Sequence, residues 1–167
     1  YGIAGAASIQ ENLISDRCGA KRLNKGPMFD MKAIHAEVDQ LIRDYTVLCK
    51  SGSQRVDNLS GGNIQKVILA RELDADPEIL IAAQPTRGVD IGAIEYIRKQ
   101  LVALRDSGKA ILLVSAELEE ILSLSDRIIV MYEGEIVGTF RPEETTEEEL
   151  GLYMTGSRRM ELDGGAI

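Results

Sequence analysis

Three consecutive residues, Ser60-Gly61-Gly62, carry the clearest chemistry in this chain. They stand directly ahead of a helical run through Ile64, Val67, Ile68 and Ala70 to Leu73, which places Ser60 to cap a helix. The glycines let a ligand come close to the backbone. Unpaired N–H groups at the helix start, with the positive end of the dipole, attract an anion such as phosphate. Taken alone, a Ser-Gly-Gly is most often an ordinary glycine-rich loop capping a helix, so its neighbours must decide. Other reactive residue types offer less. Cys18 and Cys49 lack metal or redox spacing and read as reduced thiols. His35, the only histidine, has no second histidine with which to hold a metal, and its helical context predicts a partly exposed structural role.

The elements around the triplet follow from periodicity and punctuation. Ser8 caps a short helix to Leu13, and Ser15 to Pro27 is a polar loop. Asp30 caps a helix with the apolar stripe Ile34, Val38, Leu41, Ile42 and Tyr45, after which polar residues 50–58 lead to Ser60. Ile79 to Ala83, bounded by Pro77 and Pro85, is a buried strand. A helix over 92–106 carries Ile94, Ile97, Leu101 and Leu104 on one face, stops at Gly108 and leads to a strand at Ala110 to Ser115. Strand, helix and strand at this length make a right-handed crossover between parallel neighbours. A short helix over 117–124 precedes strands 127–132 and 135–140, paired across Glu133-Gly134. Thr145 or Thr146 caps a last acidic helix to Met154, and the pattern ends at Gly156.

The chain has 167 residues, 44% of them hydrophobic and 28% charged, an ordinary globular balance with room for a core. A net charge of -8 argues against a nucleic-acid or anionic-membrane surface. No apolar run approaches the roughly 20 residues of a membrane span, and no cleavable signal pattern is present.

The longer run Leu59 to Leu73, LSGGNIQKVILAREL, resembles the signature motif of ATP-binding-cassette ATPases, with Asn63 where the commonest form has glutamine and Gln65 two residues on. Ile79 to Asp90, ILIAAQPTRGVD, resembles that family's Walker B strand and D-loop, in the family's order and spacing. The resemblance implies an α/β fold, part of a P-loop NTPase. Residues 1–75 would form a helical subdomain with the signature, and 76–155 the C-terminal part of the α/β core, mainly parallel sheet with flanking helices and a C-terminal hairpin. Residues 156–167 are expected to be a disordered tail. No G-x-x-x-x-G-K-[ST] loop occurs in the chain. The chain also opens without methionine, and is expected to be a piece beginning after the Q-loop. Gln10 is the glutamine nearest the start, but its helical context keeps the Q-loop role off it.

Within the resemblance, an active Walker B strand ends in an aspartate for Mg²⁺ and a glutamate that polarises water; here Ala83 and Gln84 hold those positions. Alanine offers no ligand and an amide takes up no proton. Ala116 stands at the switch-histidine position, so the hydrolytic half is expected to be degenerate. The resemblance implies that Ser60, Gly61, Gly62, Asn63 and Gln65 face the ATP of a partner cassette, with Asp90 as the D-loop aspartate; Asp90 is equally a helix cap. ATP and Mg²⁺ are then cofactors of the assembly, with none expected on this chain alone, which is expected to be inactive.

The string Ala82 to Asp90 with Asn63 is similar to the second cassette of tandem proteins that power simple-sugar and nucleoside import. Implied partners are a second cassette half, transmembrane permease subunits and, indirectly, a solute-binding lipoprotein, with no nucleic acid. The implied location is the cytoplasmic face of a membrane. Competing classes are a soluble cassette ATPase of translation or DNA repair and a nucleotide-independent regulatory module. An uncovered sheet edge and apolar face are expected to make the chain self-associate.

Overall fold

The computed structural model describes residues 2–160. Within them, 2–80 with Pro85–Ala110 form one compact unit, and Ile81–Gln84 with 111–160 form a second. The helix over 91–106 therefore groups with the helical part of the chain, where the sequence reading puts it in the α/β part.

In the first unit, α1 (Ile9–Ile14) starts at a capping box: Ser8 Oγ accepts from Glu11 N at 3.1 Å, and Glu11 Oε2 accepts from Ser8 N at 2.7 Å. The Ser15–Pro27 segment is more structured than a loop. It holds a 3₁₀ turn at Lys21–Leu23 and β1 (Asn24–Lys25), which pairs antiparallel with β2 (Met28–Phe29) just beyond it. Helix α2 (Met31–Asp44) is capped by Asp30, which accepts from Lys32 N and Ala33 N. Helices α3 (Gly61–Asp74) and α4 (Ile91–Asp106) are capped by Ser60 and Asp90. Ile9, Leu13, Ile34, Val38, Val56 and Val67 are the centre of the core, each at most 1% exposed. At about 1.5–3 kcal/mol per fully buried aliphatic side chain, this cluster is what holds α1, α2 and α3 together.

A buried cation ties the same helices from the side. Arg17, 9% exposed, pairs with Asp74 at the end of α3, with Asp16 at 3.0 Å and with Glu37 of α2 at 3.6 Å, and donates to Arg71 O at 2.9 Å. Burial alone would make this guanidinium easier to deprotonate, but Asp16 and Asp74 more than reverse that. Glu37 is held below its ordinary range, first by its hydrogen bond to Arg22 and against the effect of burial.

Strands β3 (Ile79–Ala83) and β4 (Ala110–Val114) pair. Glu78 O accepts from Ala110 N at 3.0 Å, and Gln84 N donates to Val114 O at 2.7 Å, so the strands run the same way. Parallel pairing is confined to these two strands among the described residues, whose sheets each contain two strands. The expected buried strand is corrected in its burial: Ile79 and Ile81, with Leu112 and Val114 of β4, stand at alternate positions and are 49–68% exposed, because two strands alone cover only one face of the ribbon, and of β3 only Ala82 is buried.

In the second unit, α5 (Leu118–Leu124) precedes a hairpin of β5 (Ile128–Tyr132) and β6 (Glu135–Phe140). Its turn places Glu133 at φ 49° and Gly134 at φ 83°, the left-handed pair that a two-residue hairpin requires. Register shifts between Val130, opposite Gly138, and Met131, opposite Ile136, so Val137 is an extra residue on β6. Val137 and Gly138 are consequently both buried. Helix α6 (Glu147–Met154), capped by Thr146 with three glutamates in its first turn, packs Leu150 and Tyr153 on the hairpin. Tyr153 meets Phe140 edge to face, with ring centroids 5.0 Å apart.

The expected disordered tail is corrected over its first five residues. Arg158 N donates to Leu152 O, Met160 N donates to Val137 O at 2.8 Å, and Arg159 pairs with Glu135. Backbone hydrogen bonds returning to α6 and β6 replace the core contacts that this polar stretch lacks. The remainder of that expectation, 161–167, lies outside the described residues.

Candidate functional site

The Ser60-Gly61-Gly62 triplet sits at the start of α3 as the spacing predicts. Ser60 is extended, at φ -68° and ψ 156°, and its Oγ faces back over the first turn. It accepts from Asn63 N at 3.5 Å and from Asn63 Nδ2 at 2.9 Å. Helix geometry gives the N–H groups of Gly61 and Gly62 no intrahelical partner. Ser60 and Gly61 are exposed, so a hydroxyl and a backbone donor open to solvent at the positive end of a helix.

Gly62 is buried, and its reason for being glycine is steric. A Cβ there would lie 2.9 Å from Ala93 Cβ and 3.1 Å from Asp90 Oδ2. At Gly61 a Cβ would meet Gly88 O at 3.2 Å. The N-termini of α3 and α4 thus converge on the 88–90 loop. Asp90 caps α4 through Oδ1, which accepts from Ala93 N at 2.9 Å, while Oδ2 abuts Gly62. One carboxylate therefore lies beside the positive ends of both helices. The sequence reading assigns the glycines to ligand approach alone and misses this packing, because nothing local pairs residue 62 with residue 93.

Asn63 is only partly exposed, and its Oδ1 accepts from Leu48 N at 2.7 Å. One turn further along α3, Lys66 Nζ donates to Thr46 O at 3.0 Å and lies 4.9 Å from the Tyr96 ring centroid. Gln65, half-buried beside Ile64, is one position round the helix from that pair. The loop at 46–48 was not legible as part of the site, since its contacts span about fifteen to twenty residues of chain.

In the second unit, the end of β3 is short of acid. Ala83 is exposed and carries no ligand atom; Gln84 sits at φ 51° with its N–H committed to Val114 O. After β4, Ser115 Oγ accepts from Glu117 N at 3.1 Å, and Ala116 is exposed. Among the described residues no cluster of three His, Cys, Asp or Glu side chains is arranged to hold a metal ion. A divalent cation bound through carboxylates does not fit the end of β3, whose side chains are a methyl group and an amide.

In fold the chain is similar to a dimeric ATP-binding cassette in a post-hydrolysis state with ADP and phosphate, with a TM-score of 0.67 at 21% identity, covering 84% of this chain and 59% of that one. A nucleotide-free cassette from an ABC transporter gives a TM-score of 0.64 at 21% identity, covering 93% and 63%. The fold is that of an ATP-binding cassette. In sequence it is 51% identical over 139 residues to the guanosine import ATP-binding protein NupO of Bacillus subtilis, which covers 83% of this chain and 26% of the relative. It is 43% identical over 155 residues to the nucleoside import ATP-binding protein NupA of Lactococcus lactis. It is 41% identical over 168 residues to the glucose import ATP-binding protein TsgD13 of Haloferax volcanii, 99% of this chain and 30% of that relative. The chain spans about a quarter to a third of these relatives' length. No protein-family model matches it.

Proposed function

We propose that this chain is part of the ATP-binding protein of a nucleoside or simple-sugar importer, and that it serves as the non-hydrolysing half of a cassette pair. The observation that carries the reading is the combination of a Ser60-Gly61-Gly62 helix start, open to solvent at Ser60 and Gly61, with a β3 strand that ends in Ala83 and is followed by Gln84. In this role the Ser60 hydroxyl and the Gly61 and Gly62 N–H groups donate to the terminal phosphate of ATP held by a second cassette. Gln84 supplies no proton acceptor for water, so assistance worth about 10² to 10⁴ in rate is absent from this chain's own half. The names of NupO, NupA and TsgD13 support the import role and span nucleosides and glucose, so the proposed substrate class stays at that breadth.

The proposed partners are a hydrolysing cassette, permease subunits and a solute receptor, at the cytoplasmic face of the membrane. No helix among the described residues is long and apolar enough to cross a membrane. The aliphatic row Ile79, Ile81, Leu112 and Val114 supports the further proposal that the chain by itself self-associates. The test uses the complete ATP-binding protein with its permease. Ser60→Ala is expected to lower ATP hydrolysis at least tenfold, following the loss of a charge-assisted hydrogen bond of about 1.5–3 kcal/mol. ATP turnover unaltered by Ser60→Ala would overturn the reading.

A further inference from the structure

The Asn63 side chain makes two hydrogen bonds of opposite polarity. One end faces Leu48 N at 2.7 Å and the other faces Ser60 Oγ at 2.9 Å. A backbone N–H only donates, so the end facing Leu48 is the oxygen and the end facing Ser60 is the NH₂ group. The amide has no freedom to turn over, because turning it would set NH₂ against N–H.

That orientation dictates what Ser60 offers to a ligand. A serine hydroxyl has two acceptor positions and one donor. At Ser60 the acceptor positions are engaged by Asn63 Nδ2 and, at the long distance of 3.5 Å, by Asn63 N. What remains is the O–H, so an incoming group meets a proton and must itself be an acceptor. A phosphate oxygen satisfies this and an ammonium or amide N–H does not.

The starting point of this chain of bonds is itself held in place. The turn at 46–48 contains Thr46 at φ 52°, an unfavourable conformation for a β-branched residue. Lys66 Nζ fixes it by donating to Thr46 O at 3.0 Å, one helical turn from Asn63 on the same α3 face. The Leu48 side chain is 70% exposed, so only its backbone N–H takes part.

From these contacts we infer that Asn63 is a positioning residue: it polarises Ser60 as a dedicated hydrogen-bond donor toward the ATP phosphate, under the control of the Leu48 N–H. The inference rests on the proposed role of Ser60. It adds that the serine's usefulness depends on a neighbour that touches no phosphate, and that displacing the 46–48 turn releases Asn63 and lets the hydroxyl rotate away.

The test is a double-mutant cycle in the complete importer, measuring kcat and KM for MgATP. Asn63→Leu, similar in size but without donor or acceptor, is expected to lower kcat/KM about tenfold. In a Ser60→Ala background the same change is expected to alter kcat/KM by less than about twofold, since no hydroxyl is left to orient. Asn63→Asp provides the second variant, nearly isosteric and still able to accept from Leu48 N. Its other oxygen captures the Ser60 proton, so its penalty is expected to be larger with Ser60 present than in the Ser60→Ala background, whatever its bare charge does in both. Multiplying losses across the two positions, or wild-type kcat/KM in Asn63→Leu, would overturn the inference while leaving the phosphate role of Ser60 standing. Wild-type turnover in Ser60→Ala alone would remove that role, and this inference with it.

Discussion

Substituting Gly62 by alanine probes the closest approach in the candidate site. The new Cβ would stand 2.9 Å from Ala93 Cβ, against an ordinary carbon–carbon contact of about 3.5–4.0 Å, so α3 and α4 must part by roughly 0.6 Å or more. Overpacking of this kind costs about 1–3 kcal/mol. Alanine's advantage over glycine in a helix, up to about 1 kcal/mol, offsets part of it, and less so this near the helix start. The expected net loss is about 1–2 kcal/mol, or ~3–6 °C in melting temperature for a chain of this size. Ala93→Gly alone is expected to destabilise by about 0.5–1 kcal/mol through helix propensity. Combined, the two should be less harmful than their sum by at least about 1 kcal/mol, because the first change then occupies the space the second vacates. Thermal and urea unfolding of the four proteins, followed by far-UV circular dichroism, give the cycle. Additivity to within about 0.5 kcal/mol would refute direct steric contact between the two helix starts.

Two other consequences are open to measurement. Burial, with Asp74 adding to it, pushes Tyr45 up to about 12 from an ordinary 10.0, so the folded state holds this phenol's proton more tightly. That contribution is fully present below pH 10 and is lost as pH rises toward 12; Tyr45→Phe is expected to flatten the alkaline fall in melting temperature, and an unchanged slope would count against it. Glu120 of α5 is fully buried, and neither carboxylate oxygen has a hydrogen-bond partner among the described residues. Glu120→Met is therefore expected to stabilise the chain by about 1–3 kcal/mol in urea titration, and a lower midpoint would contradict that.

Much of the local structure was legible because its signals are short-range. Ser8, Asp30, Ser60 and Asp90 each precede an apolar helical period and cap the helix expected of them, and of the two threonines expected to cap the last, acidic helix it is Thr146 that does. Prolines at 77 and 85 bracket a strand that occupies Ile79–Ala83, and Glu133-Gly134 makes the turn that its residue types suggest. What was hidden depends on distant partners. The burial of Arg17 needs Asp74, and the second role of Gly62 needs Ala93. Val137 enters β6 as an extra residue with no glycine or proline at its own position to announce it. The candidate site divides the same way. The motif residues were readable in order, whereas the Leu48–Asn63–Ser60 contacts required the turn at 46–48 to be folded back on α3.

The extra residue in β6 also meters the chain that follows α6. Its carbonyl accepts from Met160 N, and Gly156, at φ 72°, turns the backbone where any side chain would strike the Tyr132 ring. Anchor and pivot are separated by a fixed count of residues. Inserting or deleting one residue between them would leave Val137 O searching for a donor, so substitutions are tolerable at Ser157 and Arg158 in a way that changes of length are not.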